Sequence, residues 1–316
     1  MQSTNKASNI IDIIKFFCCL MIVGLHINPF LLNGDVSYMF TQSPFRIAIP
    51  FFLISTGYFF AGMEPAKRSS YLKRLYFLYL FASVIYIPIY IKDGIFFVFV
   101  NFLLAFHHLW YLITVAICIQ LMIFFDKKEF KHKYWLILLL PVAIFFDHYC
   151  KLLGIETLSL ICDRMESLRV TAYIRALPFL LMGDYIRHKD IRLKDSTCIL
   201  SFFILLAVSL GEAFFLRFNT DIAAECGIFN WMPAIPLFLF AARKQSFLSS
   251  TASRNLRKIV DIVYIIHVWV LEFAEQVLHL HSFPEYIVSI LISFAAAALI
   301  LPVITLIGKT KRLNRE

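Results

Sequence analysis

Charge is scarce in this 316-residue chain, of which only 16% is Asp, Glu, Lys or Arg, against about 25% in an average soluble domain. With 60% of the residues apolar, that shortfall excludes a soluble globular protein. The seven cysteines include no C-x-x-C pair and no Cys/His metal spacing, so no metal is expected. Cys18, Cys19, Cys118 and Cys198 stand inside apolar runs, where cysteine behaves as a small hydrophobe. Cys150 and Cys162 share one segment between runs and form the candidate disulfide. No long polar segment follows an apolar run, and no repeat of about 20–50 residues is visible. The reading is one integral membrane domain, 1–316.

What is present is phenylalanine, 34 of them, and a mean hydropathy of +0.76. Windows of about 20 residues predict an all-α, ten-helix membrane protein with spans at 10–32, 45–63, 74–91, 108–125, 134–149, 169–186, 197–216, 228–242, 259–279 and 285–308. The first run is too long for the core of a cleaved signal peptide and lacks small-residue cleavage chemistry, so it is read as a span. The run 95–106 is too short to cross about 30 Å at 1.5 Å per residue and is read as interfacial or re-entrant. With both termini cytoplasmic, and with the border residues Arg74 and Arg169 counted in the segments they adjoin, 22 of the 30 Lys and Arg fall in inside segments, five in outside loops and three within spans. An eleventh span would invert that asymmetry. The net charge of +9 is therefore an orientation signal, and nucleic acid is not an expected partner. The lipid bilayer is.

Ionisable groups inside spans mark candidate functional sites. Lys15 and His26 are eleven residues apart, almost three helical turns, and so share one face about 16 Å apart. Asp12 is one turn from Lys15 and can pair with it. That face suits a polar path in which the imidazole acts as general base; the competing reading has Lys15 snorkelling and His26 bonded to a neighbouring helix. A carboxylate beside His26 would orient its ring, and Asp12, Glu212 and Glu272 are the candidates. In the second span Pro50 predicts a kink or break, Ser55 and Gly57 permit close approach, and Arg46 at the outer end either meets headgroups or holds an anionic or hydroxyl-rich substrate. Trp110 stands at the entry of the fourth span. Arg175 lies in the sixth, and Asp261, Tyr264 and His267 follow at three-residue steps in the ninth. The basic cytoplasmic loop Lys67 to Arg74 serves topology, or else holds the phosphates of a soluble cofactor.

Taken in order, these segments resemble the acyltransferase 3 family, bacterial ten-span proteins that use cytoplasmic acyl-CoA to acylate acceptors of the cell surface. The likeness runs the whole length. Ile11-Asp12-Ile13-Ile14-Lys15 followed by His26 is similar to the family's opening, with Lys where relatives carry Arg. Arg46, Pro50, Phe52, Ser55, Gly57 and Tyr58 match its second element, with Thr56 inserted in the Ser-Gly pair. Arg68, Lys73 and Arg74, His108-Leu109-Trp110-Tyr111, Arg175 to Gly183, and Tyr264-Ile265-Ile266-His267 match the later ones. The sequence from His26 to Pro29 is also similar to the membrane part of the serine racemases of vancomycin resistance.

The resemblance implies an O-acyltransferase of the bacterial cytoplasmic (inner) membrane that moves an acetyl or short acyl group from acetyl-CoA, or another acyl-CoA, to a hydroxyl of a cell-surface polysaccharide or glycolipid. It implies His26 and Lys15 as catalytic, Arg68, Lys73 and Arg74 as acyl-CoA-binding, and Arg46, Ser55, Trp110, Arg175, Tyr264 and His267 as substrate-binding. The alternative is a transporter-like domain handling serine or another small substrate, and a structural scaffold ranks third.

Overall fold

The computed structural model describes residues 9–27, 34–105, 107–144, 170–219, 227–244 and 248–313. Every regular element among them is helical. Twelve α-helices follow in chain order: α1 (Asn9–His26), α2 (Gly34–Gln42), α3 (Ala48–Ala61), α4 (Pro65–Tyr90), α5 (Ile95–Leu104), α6 (Trp110–Lys127), α7 (Leu139–Ile144), α8 (Val170–Lys189), α9 (Asp195–Asn219), α10 (Ala234–Arg243), α11 (Ser250–Gln276) and α12 (Ser282–Leu313). Cys150 and Cys162 lie outside the described residues.

The outer shell of the bundle is apolar. Phe77 and Phe81 on α4, Leu200, Phe203 and Phe214 on α9, and Leu291, Leu299 and Val303 on α12 are all exposed. Apolar area on that scale is tolerated where the surrounding medium is lipid. Among the described residues, five stretches are long and apolar enough to cross a membrane: Gly34–Ala61, Pro65–Tyr90, Trp110–Lys127, Asp195–Phe218 and Ser282–Leu306. The expected count of ten is not reached on length and composition. The helices α8 and α11 are long but carry charge, Arg175, Asp184 and Arg187 on one, Arg257, Lys258 and Asp261 on the other. The helix α10 has only ten residues. So has α5, about 15 Å of rise, which agrees with reading 95–106 as too short to span.

Two local structures differ from expectation. The basic stretch 67–74 is helix, the first turns of α4, because Pro65 sits at the helix start, where its missing N–H costs nothing. The second apolar run does not break at Pro50. That residue occupies the first turn of α3, again where no intrahelical donor is needed, and the chain bends one turn earlier, in the 3-10 turn Pro44–Ile47. The segment 34–42, which lies between the first two expected spans, forms α2.

At the centre lies α3, apolar all round and buried along most of its length, with Ala48, Phe51, Leu53, Ile54 and Phe60 in the core. It packs along α8 through two glycines. A Cβ on Gly57 would fall on the main chain of Leu180, and one on Gly183 on the main chain of Ile54 and Tyr58. Each helix thus seats its glycine against the other's backbone, the small-residue contact that membrane helices use where no hydrophobic force drives them together. On another side α3 meets α1, which itself packs against α11.

A buried ion network ties one end of the bundle. Lys133, just before α7, donates to Asp126 of α6 (2.8 Å) and lies 2.9 Å from Asp184 of α8. Asp126 also takes Arg68 of α4 (2.6 Å), and Tyr134 donates to Asp184 (2.8 Å). Burial works against the Lys133 ammonium, but its bonds to Asp126 and Asp184 outweigh that and hold its pKa above the usual 10.5. A pKa raised on folding makes the stabilisation complete below the unfolded value and lost as pH rises past the folded one. The network therefore stands throughout the neutral range. Lys133→Met leaves the Asp184 carboxylate, 2% exposed, short of its ammonium, and should cost about 3 kcal/mol, read as a lower midpoint in a thermal scan in detergent.

Candidate active site

Between α1, α3, α4, α6, α11 and α12 lies a cavity of about 800 Å³. Along α1 it is lined by Lys15, Cys19, Ile22 and His26. That spacing of three and four residues is one helix face. The two ends differ in chemistry.

At the basic end, Lys15 is joined by Arg74 and Tyr71 of α4 and by Arg257, Lys258 and Asp261 of α11. Four cations face one carboxylate there. Lys15 and Asp261 attract one another across the space, and the Lys15 ammonium lies 5.5 Å from the Phe59 ring centre and 5.9 Å from that of Phe52. Behind this wall, buried Asp12 accepts the hydroxyl of Ser253 and lies 3.5 Å from Arg257. The start of α11 is fixed by Ser249, which caps the Ala252 N–H at 3.1 Å. This end suits an anion with several negative charges.

The other end is aromatic and imidazole-rich. His26, exposed to the cavity, has its ring centre 5.3 Å from that of His267, which lies 4.7 Å from that of His108. His267 and His108 are buried, 1% and 3% exposed. Tyr264 donates to the backbone oxygen of His108 (2.6 Å), and Tyr86 of α4 stands edge-on to the His108 ring at 5.1 Å. Arg46 and Trp110 complete the wall, Arg46 steadied by its bond to Gln42 (3.2 Å). Thr56, the residue inserted in the Ser-Gly pair, lines the cavity and bonds Tyr111.

Of the residues singled out in the sequence, the cavity brings together Lys15, His26, Arg46, Arg74, Trp110, Tyr264 and His267. It does not bring in four others. Arg68 turns the other way, to Asp126, with its guanidinium also bonded to the carbonyls of Met63 (3.3 Å) and Ala61 (3.4 Å). Lys73 is exposed and off the lining face of α4, on which Tyr71, Arg74, Leu75 and Leu78 follow at helical spacing. Ser55 is buried within α3, one position from the lining residue Thr56. Arg175 bonds Thr171 one turn back on its own helix, at 3.3 and 3.4 Å, away from the lining.

The three carboxylates considered for His26 are also engaged away from the lining. Asp12 takes Ser253, Glu212 accepts the backbone N–H of Ile228 (2.7 Å) and Phe229 (2.8 Å), and Glu272 takes Gln276. Arg257, Lys258, Tyr71, Tyr111 and His108 line the cavity without having been assigned a role from sequence. A signal for part of this set was present: Arg257, Asp261 and Tyr264 repeat at four and three residues, one face of a helix.

Comparison with known proteins adds the family. The chain matches, over residues 8–309, the family model Acyl_transf_3, described as an acyltransferase domain. Two proteins of Enterococcus faecalis, each named amino-acid racemase, are similar to it. One is 27% identical over 240 residues, 68% of this chain and 33% of its own length. The other is 30% identical over 122 residues, 33% of this chain and 17% of its own length. The match thus spans a third or less of these relatives. No solved structure matches the chain.

Proposed function

This chain belongs to the acyltransferase 3 family, and we propose that it is a multi-pass membrane enzyme transferring an acetyl or short acyl group from acyl-CoA to a hydroxyl of a cell-envelope glycan or glycolipid. In this reading the membrane is the bacterial inner membrane, crossed ten times with both termini cytoplasmic, and the basic end of the cavity opens to the cytoplasm. The observation that carries the proposal is one cavity with four cations at one end and a cavity-exposed imidazole at the other.

The residues divide the work by position. The donor supplies an acyl group already activated as a thioester. Arg74, Arg257 and Lys258, with Lys15 deeper in, hold its phosphates by charge-assisted bonds, and the apolar wall of Ile22, Phe52, Leu75 and Leu78 flanks its arm. Lys15 belongs to this binding end. Eleven helical residues, about 16 Å of axial rise, separate its backbone position from that of His26, so in this reading the two serve different parts of the donor. His26 takes the proton of the acceptor hydroxyl as its oxygen attacks the thioester carbonyl. It returns that proton to the departing sulfur as the C–S bond breaks, so that ester and free thiol leave with nothing else consumed. Arg46 and Trp110 bind the acceptor, the one by hydrogen bonds to hydroxyls, the other by its flat face.

Acetyl-CoA binding by the purified protein in detergent tests the division. Arg74→Ala with Arg257→Ala should weaken binding by about tenfold or more, the loss expected for a charge-assisted contact or two. Arg68→Ala should leave it within about threefold, because that guanidinium faces Asp126. Undiminished binding in the double variant would remove the basic end from donor recognition. The two amino-acid racemases support a second reading, a cavity that handles a free amino acid. Serine binding with no acetyl-CoA binding would favour it.

A further inference from the structure

The histidine end holds more imidazole than one base requires. His267 reveals its protonation pattern through its partners. Its Nδ1 faces two backbone carbonyl oxygens, of Tyr264 at 2.8 Å and Val263 at 3.2 Å. A carbonyl oxygen only accepts, so Nδ1 carries the hydrogen and Nε2 is left as an acceptor. The ring is held in place by its burial, by the His108 ring at 4.7 Å and by the turn of α11 to which it bonds. His26 has the opposite character: it ends its helix, is exposed to the cavity, and lies with its ring centre 5.3 Å from that of His267.

A histidine base needs one nitrogen bare toward the substrate and a hydrogen on the other. The hydrogen on that second nitrogen must meet an acceptor if the ring is to hold one orientation. We propose that His267 is the positioning residue for His26, its Nε2 accepting the His26 hydrogen that points away from the substrate, directly or through one water. A buried, neutral imidazole does this without placing a second charge in a low-dielectric wall. Its bond to His26 strengthens when His26 takes up the acceptor's proton, because the donor is then a cation. On this assignment His267 acts through His26 and does not touch substrate, unlike the substrate-binding role its sequence motif suggested. The proposal rests on His26 being the base of the acyltransferase.

Three substitutions separate this role from packing. Leucine fills the site without an acceptor, glutamine can place an amide oxygen near the position of Nε2, and asparagine reaches only as far as Nδ1. Thiol release from acetyl-CoA should fall about a hundredfold in kcat for His267→Leu, the scale of a misplaced catalytic group, with KM for acetyl-CoA unchanged. His267→Gln should recover most of that loss and His267→Asn little of it. In a His26→Ala background, His267→Leu should cost nothing further. Equal rates for Gln and Asn, a loss carried by KM, or multiplying losses in the double variant would each overturn the assignment.

A second readout needs no turnover. Carbethoxylation of His26 by diethyl pyrocarbonate, followed by mass spectrometry, should change rate in His267→Leu and return toward wild type in His267→Gln. One rate in all three proteins would overturn the pairing. Absence of thiol release from the wild type would instead count against the acyltransferase reading, leaving the modification test to decide the His26–His267 pair by itself.

Discussion

His26→Ala should lower acyl transfer by roughly 10²- to 10⁴-fold, the usual contribution of a general base, while acetyl-CoA binding stays within a factor of about two. The separation follows from geometry. The cations that would meet the donor's phosphates lie at the far end of the cavity, and His26 lies about three turns away on α1. The ring is exposed and lines the cavity, so its removal leaves the packed core of the bundle in place. A variant that loses donor binding together with turnover would place His26 in the fold of the site and not in its chemistry. A variant that keeps full turnover would require another base, and Tyr264 and His108, which line the same end, would have to be tested in its place.

Gly183→Ala should be among the most damaging small substitutions at the described residues. One methyl group there meets the main chain of α3, at Ile54 and Tyr58, which no rotamer change can move aside. Overpacking of this kind commonly costs about 1–3 kcal/mol, and contact with main-chain atoms of two successive turns of α3 puts the expected loss at the top of that range or beyond. Gly57→Ala should behave alike, since its methyl falls on the Leu180 carbonyl. The contrast is Gly211 of α9, around which a Cβ meets nothing within 4 Å; Gly211→Ala should be neutral or stabilising by a few tenths to about 1 kcal/mol through helix propensity. Yield of monodisperse protein and thermal midpoint in detergent measure both. Equal behaviour of Gly183→Ala and Gly211→Ala would show that α3 and α8 can separate without cost.

The membrane setting and the helical class were legible because they depend on composition and run length, quantities that a sequence carries locally. So was the shared face of Lys15 and His26, since helical period alone places residues eleven apart in line. What was not legible depended on distant partners. Arg68 reads like Arg74 until Asp126, 58 residues later, takes its guanidinium. Arg257 and Lys258 read as orientation charges because hydropathy windows start at 259, whereas the helix starts at Ser250 and carries both side chains to the cavity wall. The basic stretch 67–74 contains no helix breaker after Pro65, a local signal that favoured helix over loop. Pro50 misled in the opposite direction, since whether a proline breaks a helix depends on whether the helix has already begun. A carboxylate beside His26 was expected because it would orient the ring, and nothing in local sequence could show that Asp12 would be taken by Ser253 and Glu212 by the amides of Ile228 and Phe229.

The helix α1 also acts as a ruler. It fixes about 16 Å of axial rise between the backbone positions that carry the innermost cation and the imidazole, so their side chains can move around that spacing but cannot abolish it. If the site works as proposed, it suits a donor whose reactive carbon stands roughly that far from its anionic head. A long-armed thioester can occupy both ends at once; a small acyl phosphate, whose charge and carbonyl are neighbours, can occupy either end but never both. Donor selectivity would then be a matter of reach more than of affinity.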